Sequence, residues 1–279
     1  MNNNVNSLCI FCISLFLGLY ANCQNVLVNE KNMVIKPEIS TPPSSLKLNS
    51  FYKKYIDANG IAVVSSWRVP DSALYKAWEI VSFMTNDLPD EVLNQMNKEK
   101  ARVGVMARYE GTTDIPEHAF LANDTSINWD LRARGLGGDM ELPLTTCAEE
   151  NLLCYQIDKY HAEDILVHEF AHAIHLIGIS PKDPSFNNIL QKYLDNAVSA
   201  GKYEKTYAKT DIYEYWAEGI QDWFNVNAEV PLPDGKHNQI NTREELKEYD
   251  PDLYKLINIY FSEFCNSPSC HFSDNKFSL

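Results

Sequence analysis

The run His168-Glu169-Phe170-Ala171-His172 constrains this chain more than any other feature of its sequence. Side chains four residues apart lie on one face of an α-helix, so both imidazoles can reach a single metal ion. The glutamate after the first histidine then lies beside that ion, where its carboxylate can take a proton from water. The run is typical of half of a catalytic zinc site, which also needs a third ligand.

The residues around this run favour a buried helix. From Asp158 to Leu176 the chain contains neither glycine nor proline, and Gly178 follows as a predicted stop. Most of the intervening side chains are apolar, which is not typical of a solvent-exposed helix. Two buried histidines need polar partners, and one metal ion would satisfy both.

The amino-terminal residues predict export. An apolar run at residues 8–20 is too short to span a bilayer comfortably and is followed by a short polar segment that ends at Cys23. We interpret residues 1–23 as a signal peptide, residues 24–49 as a linker or short pro-segment, and residues 50–279 as the domain that carries the site. The mature protein is expected to be secreted and not inserted into a membrane.

The charge balance narrows the classes of partner. The chain has 38 acidic and 24 basic residues, a formal net charge of −14. This excess of negative charge argues against nucleic acid or an anionic membrane as a partner. It fits a soluble exported enzyme, and it indicates neither the substrate nor the oligomeric state.

Export also makes disulfide bonds and glycosylation possible. Four cysteines follow the predicted signal peptide, and their spacings predict the disulfides Cys147–Cys154 and Cys265–Cys270, although the two crossed pairings stay open. A zinc site made of these cysteines is disfavoured, because the compartment is oxidising and no C-x-x-C occurs among them. Asn123 begins a glycosylation sequon, which matters only in a eukaryotic source.

Hydrophobic periodicity predicts an α+β chain with a small mixed sheet and a mostly helical carboxy-terminal half. Strands are predicted at 61–64 and 102–107, and helices at 71–84, 89–97, 184–200, 210–226, 242–249 and 252–264. The loop-rich residues 116–143 contain the glycine cluster Arg134–Gly138. That cluster lacks the spacing of a phosphate loop and predicts a turn or a backbone segment that approaches a substrate.

The third zinc ligand does not come from an extension of the first motif. In the pattern H-E-x-x-H-x-x-G-x-x-H, His175 occupies the glycine position and Gly178 the last histidine position. His175 lies about 10 Å along a straight helix from His168, too far to share the ion. We interpret His175 as a packing residue or an indirect partner of the site.

A downstream helix offers carboxylates instead. Asp211, Glu214, Glu218 and Asp222 fall on one face of the predicted helix 210–226, which contains no lysine or arginine. Like charges at this spacing repel, and a nearby cation would relieve the repulsion. A ligand is expected on this face rather than a solvated acidic stripe, but the spacing does not choose among the four.

The two helices together resemble a known family. His168-Glu-Phe-Ala-His172 and Tyr207-Ala-Lys-Thr-Asp-Ile-Tyr-Glu214-Tyr-Trp-Ala-Glu218 are similar to the peptidase domain of anthrax lethal factor and its relatives among the gluzincins. The resemblance implies a zincin-like fold, with Glu214 as the third ligand and Glu218 as a hydrogen-bond partner of a zinc-bound imidazole. It also implies that Tyr207 acts in catalysis. It covers roughly residues 158–226.

These features predict a secreted zinc metalloendopeptidase that acts on a peptide or protein substrate. One zinc ion is held by His168, His172 and Glu214; Glu169 is the general base, and Tyr207 stabilises the developing oxyanion. Two alternatives stay open. One is a zinc hydrolase of a non-protein amide, and the other is a binding or toxin-like module that retains the zincin fold.

Overall fold

The strands form one mixed sheet in the order β1–β2–β3–β4. The computed structural model describes residues 36–263 and 266–272, and within these ranges the strands are β1 (Lys54–Ala58), β2 (Ile61–Ser65), β3 (Arg102–Met106) and β4 (Leu144–Ala148). β1 pairs antiparallel with β2, whereas β3 and β4 are parallel to it. Every residue of β2 and β4 is buried, so both faces of the sheet are covered.

A tight hairpin joins β1 to β2. Ala58 pairs with Ile61, which leaves Asn59 and Gly60 as a two-residue turn with φ values of 56° and 90°. Asparagine followed by glycine suits such a turn, because both residues tolerate positive φ. The Asn97 side chain donates to the Asn59 carbonyl at 3.2 Å and fixes the turn against the next helix.

Helices cover the sheet and provide the secondary structure of the second half of the described chain. They are α1 (Asp71–Asn86), α2 (Asp90–Lys98), the one-turn α3 (Trp129–Arg132) and α4 (Glu149–Leu152), α5 (Ile165–Ala173), α6 (Phe186–Ser199), α7 (Ile212–Trp223), α8 (Arg243–Tyr249) and α9 (Pro251–Ile257). α1 packs on β1, β2 and β3, and α5 packs between β4 and α7. The predicted α+β arrangement with a small mixed sheet is confirmed, and its zincin-like assignment stays a prediction.

The helix that carries the two histidines differs from the prediction at both ends. It begins at Ile165 rather than near Asp158, and it continues as a π-helix over Ile174–Ile179. Gly178 therefore lies inside the helical segment and does not stop it. A Cβ at Gly178 would lie 2.7 Å from Val92 of α2, so the missing side chain allows the two helices to approach closely.

The favoured local pairing of the cysteines is wrong, and the bond that forms belongs to one of the two crossed pairings that the sequence left open. Cys154 is bonded to Cys270, 116 residues later, and neither of the two predicted local bridges forms. Cys147 points into the core from β4 and keeps a free thiol, because α4 carries the chain away from β4 before Cys154. Cys265 lies outside the described residues. The bridge ties the segment before α5 to residues 266–272.

We expect the Cys154→Ser variant to lose stability of about 2–5 kcal/mol, because a crosslink across so long a loop strongly restricts the unfolded chain. Thermal unfolding of this variant and of the parent protein in the same buffer measures the loss. Peptide mapping without reduction should find Cys154 and Cys270 in one crosslinked fragment. Recovery of a Cys147–Cys154 fragment would contradict the assignment.

Two predictions for the amino-terminal region lie wholly or partly outside the described residues, namely the signal peptide at 1–23 and residues 24–35 of the linker at 24–49. The chain divides into two compact units, Met1–Pro37 with Ser262–Cys265, and Glu38–Phe261 with Asn266–Leu279. In the second unit Ser40 pairs with Tyr55, and Leu46 and Leu48 pack near Tyr52. Among the described helices, none has the length and apolar character needed to cross a membrane.

Candidate metal centre

The amino end of α5 is fixed by side chains on both sides. The Asp164 carboxylate accepts a hydrogen bond from Val167 N–H at 3.0 Å and caps the helix. Asn151 accepts from Ile165 N–H at 2.9 Å, and its amide donates to the Glu163 carbonyl at 2.8 Å. With its first turn held in this way, α5 presents the residues of its next turns in fixed positions.

His168 and His172 project from one face of α5 toward a common point. Their Nε2 atoms lie 3.2 Å apart, and the two residues are only 7% and 8% exposed. Phe170, on the opposite face, is fully buried in the core. The spacing of four residues therefore places both imidazoles together at the inner edge of a pocket.

The four acidic residues on one face of α7 have three different roles. Asp211 caps the helix by accepting from Tyr213 and Glu214 N–H at 2.8 and 3.0 Å. Glu214 faces the histidines, with its Oε2 atom 3.1 Å from His168 Nε2 and 3.8 Å from His172 Nε2. Glu218 and Asp222 point inward, where the Asn227 amide donates to both carboxylates at 3.2 and 2.9 Å.

The three converging atoms fit a metal ion. In tetrahedral zinc sites with bonds of about 2.0–2.1 Å, ligand atoms lie about 3.3 Å from one another. The separations of 3.1, 3.2 and 3.8 Å among His168 Nε2, His172 Nε2 and Glu214 Oε2 are close to this value. Glu214 Oε2 is buried and, among the described residues, has no hydrogen-bond donor, which a bound cation would compensate.

Glu169 lies beside the same point. One of its carboxylate oxygens is within 4.8 Å of an imidazole nitrogen of each histidine, so distance alone would also allow it as a ligand. We assign the ligand position to Glu214, because its Oε2 atom is the unpartnered one. Burial raises the pKa of Glu169 to about 7, and the charge of His168 and the Gly137 N–H oppose this shift.

The surrounding carboxylates make the pocket attractive to cations. Burial by itself would lower the pKa of His168, but the contact with Glu214 and the nearby carboxylates raise it to about 10. Burial and the charge on His168 instead hold the pKa of His172 well below its ordinary value. The pocket thus favours one positive charge at His168 Nε2, where a proton and a metal ion would compete.

The glycine cluster forms one wall of the pocket. Leu136 bridges to Thr146 at the edge of β4, and its carbonyl accepts from Thr146 N–H at 2.9 Å. A Cβ at Gly137 would lie 2.7 Å from the Cβ of His172, so only glycine allows this backbone to approach α5 so closely. The cluster therefore lies directly against the site helix.

Tyr207 lies beside His168 and is 36% exposed. Its ring lies nearly parallel to that of His168, with 6.4 Å between centroids. Burial and the charge of Glu214 raise the pKa of its hydroxyl, and a hydrogen bond from the Arg132 guanidinium lowers it. At neutral pH the hydroxyl is therefore protonated and able to donate.

His175 lies away from these groups. Its Nε2 atom contacts Asn187 Oδ1 at 2.7 Å, and its ring packs against Phe186 and Tyr213. The residue is fully buried, and burial lowers its pKa to about 4. His175 is thus a packing residue of the core.

Comparisons with known proteins find similarity to solved structures. No protein-family model matches the sequence, and no curated protein matches it. A solved structure of a Pro-Pro endopeptidase from Paenibacillus alvei aligns with 71% of this chain and 96% of its own, at 16% identity and a TM-score of 0.47. This likeness is too weak to transfer residue roles or a substrate.

Sequence reasoning missed Gln221, the closest partner of His168. Gln221 Oε1 lies 2.8 Å from His168 Nδ1, whereas Glu218 Oε1 lies 3.5 Å away. The amide of Gln221 donates to the Asp164 carbonyl at 3.1 Å, which sets its orientation, so its oxygen must accept from Nδ1–H. In the neutral, metal-binding form of His168 the lone pair is then on Nε2, facing Glu214. The spacing of Gln221, seven residues after Glu214 on one helical face, was the available signal.

We expect Gln221→Ala to weaken zinc binding about 10–100-fold, because His168 loses the acceptor that fixes its tautomer. Competition titration against a zinc-binding dye measures the change. Gln191→Ala, on the exposed surface of α6, is the matched control and should bind zinc like the parent protein. Equal affinity in the two variants would remove Gln221 from the site.

Proposed function

We propose that this protein is a secreted zinc metalloendopeptidase. One observation carries the proposal: two imidazole nitrogens and a buried carboxylate oxygen without a partner converge at distances of 3.1–3.8 Å, with Glu169 beside them. Two nitrogen ligands and one carboxylate, with a neighbouring general base, are the donor set of zinc hydrolases that activate water. The signal-peptide pattern at residues 1–23 supports secretion.

The proposed roles follow from these positions. A zinc ion at His168, His172 and Glu214 would supply Lewis acidity for a water molecule and for the scissile carbonyl. Glu169 takes a proton from the attacking water and delivers it to the leaving amine, a task suited to a carboxyl whose pKa is near 7. Tyr207 donates a hydrogen bond to the oxygen that gains negative charge in the transition state.

We further propose that residues 50–279 form a zincin-like domain of the lethal-factor-like gluzincin type. The proposal rests on the spacing of Tyr207, Glu214 and Glu218 in the sequence. It is supported by the placement of the first two residues around His168, at 6.4 Å between rings and 3.1 Å between Nε2 and Oε2. In this proposal Glu218 assists Gln221 in orienting the same imidazole.

Chelation tests the proposed activity directly. Purified mature protein should cleave a mixed peptide library, lose this activity after dialysis against a chelator, and regain it with one equivalent of zinc. Activity that resists removal of metal would contradict the metallopeptidase mechanism. Zinc binding without cleavage of any peptide would favour the non-protein amide hydrolase or the binding module.

We expect Tyr207→Phe to lower kcat about 10²–10³-fold with little change in KM, because its hydrogen bond strengthens only in the transition state. Steady-state kinetics on a peptide selected from the library measure both constants. Tyr109→Phe, which alters an 81% exposed tyrosine, is the control. A fully active Tyr207→Phe enzyme would place this residue outside the mechanism.

A further inference from the structure

Three basic side chains come from separate loops around Tyr207. Arg132, at the end of α3, donates to the Tyr207 hydroxyl. Lys236 lies on the other side, where its carbonyl accepts from Tyr207 N–H at 2.7 Å. Lys159 joins the group because its Nζ donates to the carbonyls of Leu131 and Arg132 at 2.9 and 3.1 Å. We name Arg132, Lys159 and Lys236 the basic rim.

The basic rim lacks close acidic partners within residues 36–263 and 266–272, although the charges of Glu163 and Glu150 act on Lys236 and Lys159 at longer range. No described carboxylate forms an ion pair with any of its three members, and all three residues are exposed. The neighbouring Arg134 differs, because Glu150 binds it through two contacts of 2.6 and 3.1 Å. Burial and the charges of these basic neighbours lower the pKa of Lys159, as expected for a cation held near other cations.

The positive charge of the basic rim contrasts with the negative net charge of the whole chain. The chain has a net charge of −14, so unpaired cations on three loops around one tyrosine are not explained by composition. Like charges at close range raise the energy of the free protein, and an anion placed among them lowers it. Glu169 and Glu214 lie with the histidines on one side of Tyr207, whereas Arg132 contacts the Tyr207 hydroxyl. The basic rim would therefore meet the part of a bound ligand that lies beside Tyr207.

We propose that the basic rim selects substrates that place a carboxylate beside the bond to be cleaved. The inference rests on the proposed peptidase function and names its substrate class. The carboxylate could belong to an aspartate or glutamate side chain or to the end of a peptide chain, and both would form charge-assisted hydrogen bonds with lysine and arginine. Because the rim is solvent-exposed, added salt should weaken this selection.

The test uses a peptide that the mature protein cleaves in a library and three analogues of it. In the first analogue glutamate stands at both positions flanking the cleavage site, in the second glutamine stands at both, and in the third the free terminal carboxylate is replaced by an amide. We compare kcat and KM for the parent protein and for the Lys159→Gln/Lys236→Gln double variant. Lys192→Gln, an exposed lysine on α6, is the matched control.

The parent protein and Lys192→Gln should prefer the carboxylate-bearing peptide by about tenfold in kcat/KM, mainly through KM, and the double variant should lose this preference. The position of the effect distinguishes a side-chain carboxylate from a terminal one. Equal rates on acidic and neutral peptides, or a preference that survives in the double variant, would overturn the inference and leave the peptidase function intact. Failure to cleave any peptide would instead overturn the proposed function on which it rests.

Discussion

Replacement of Glu169 by glutamine is expected to lower kcat about 10³-fold while zinc stays bound. Glutamine keeps the size of the side chain but cannot accept a proton from water, and general bases contribute about 10²–10⁴-fold to rates. The metal should remain because Glu214, rather than Glu169, holds the carboxylate ligand position in the assignment above. Peptide cleavage measured together with zinc content by elemental analysis separates the two effects.

Glu141→Gln provides the control, since Glu141 is an exposed carboxylate outside the pocket. It should retain full zinc content and full rate. Should Glu169→Gln lose zinc as completely as a histidine variant, Glu169 would be a ligand, and the base would have to be sought elsewhere. Should it keep its rate, the hydrolytic mechanism proposed here would be wrong.

Replacement of His168 by alanine is expected to reduce zinc content from one ion per chain to nearly none. The change removes a nitrogen ligand and leaves Glu214 Oε2 without the imidazole 3.1 Å away. The remaining pair of His172 and Glu214 is too small a donor set for a catalytic zinc site, which takes three protein ligands. Elemental analysis after gel filtration measures the loss, and activity should disappear with it.

His161→Ala serves as the control, because His161 is exposed and its side chain lies outside the pocket. Glu214→Gln should also lose zinc, since a neutral amide is a weaker ligand than a carboxylate. A His168→Ala protein that still carries one zinc ion would contradict the metal centre. Circular dichroism confirms that each variant is folded before its metal content is interpreted.

Much of the helical architecture could be predicted because it is encoded locally. The apolar spacing after Asp71 and the capping residue Thr242 mark helices wherever the chain packs them. The two histidines could be predicted for the same reason, since helical spacing fixes which side chains share a face, whereas only the family resemblance distinguished Glu214 from the other acidic residues of its helix.

The sheet was harder to predict. β4 (Leu144–Ala148) is buried on both faces, so its side chains show no alternation of polar and apolar residues. β1 alternates weakly, and its best signal is Asn59-Gly60, a pair that favours a tight hairpin. Both strands are specified by the segments that they pair with or pack against rather than by a pattern in their own sequence.

Gln221 and the disulfide could not be predicted for a different reason. Glutamine has no chemistry that singles it out on an acidic helix, and only the orientation of its amide between Asp164 and His168 reveals its role. Cys154 and Cys270 meet because the chain folds back over 116 residues. Contacts of this range depend on the finished fold.

The position of the Cys154–Cys270 disulfide in the chain also sets the order in which parts of the site are synthesised. His271 Nε2 lies 2.9 Å from the carbonyl oxygen of Asn151, the residue whose side chain holds Ile165 N–H at the start of α5. Residues 266–272 follow every ligand of the pocket along the chain, so synthesis produces the ligands first and the segment that clamps them last. A nascent chain synthesised as far as Glu214 therefore contains all the proposed metal ligands but lacks the residues that later stabilise the start of α5.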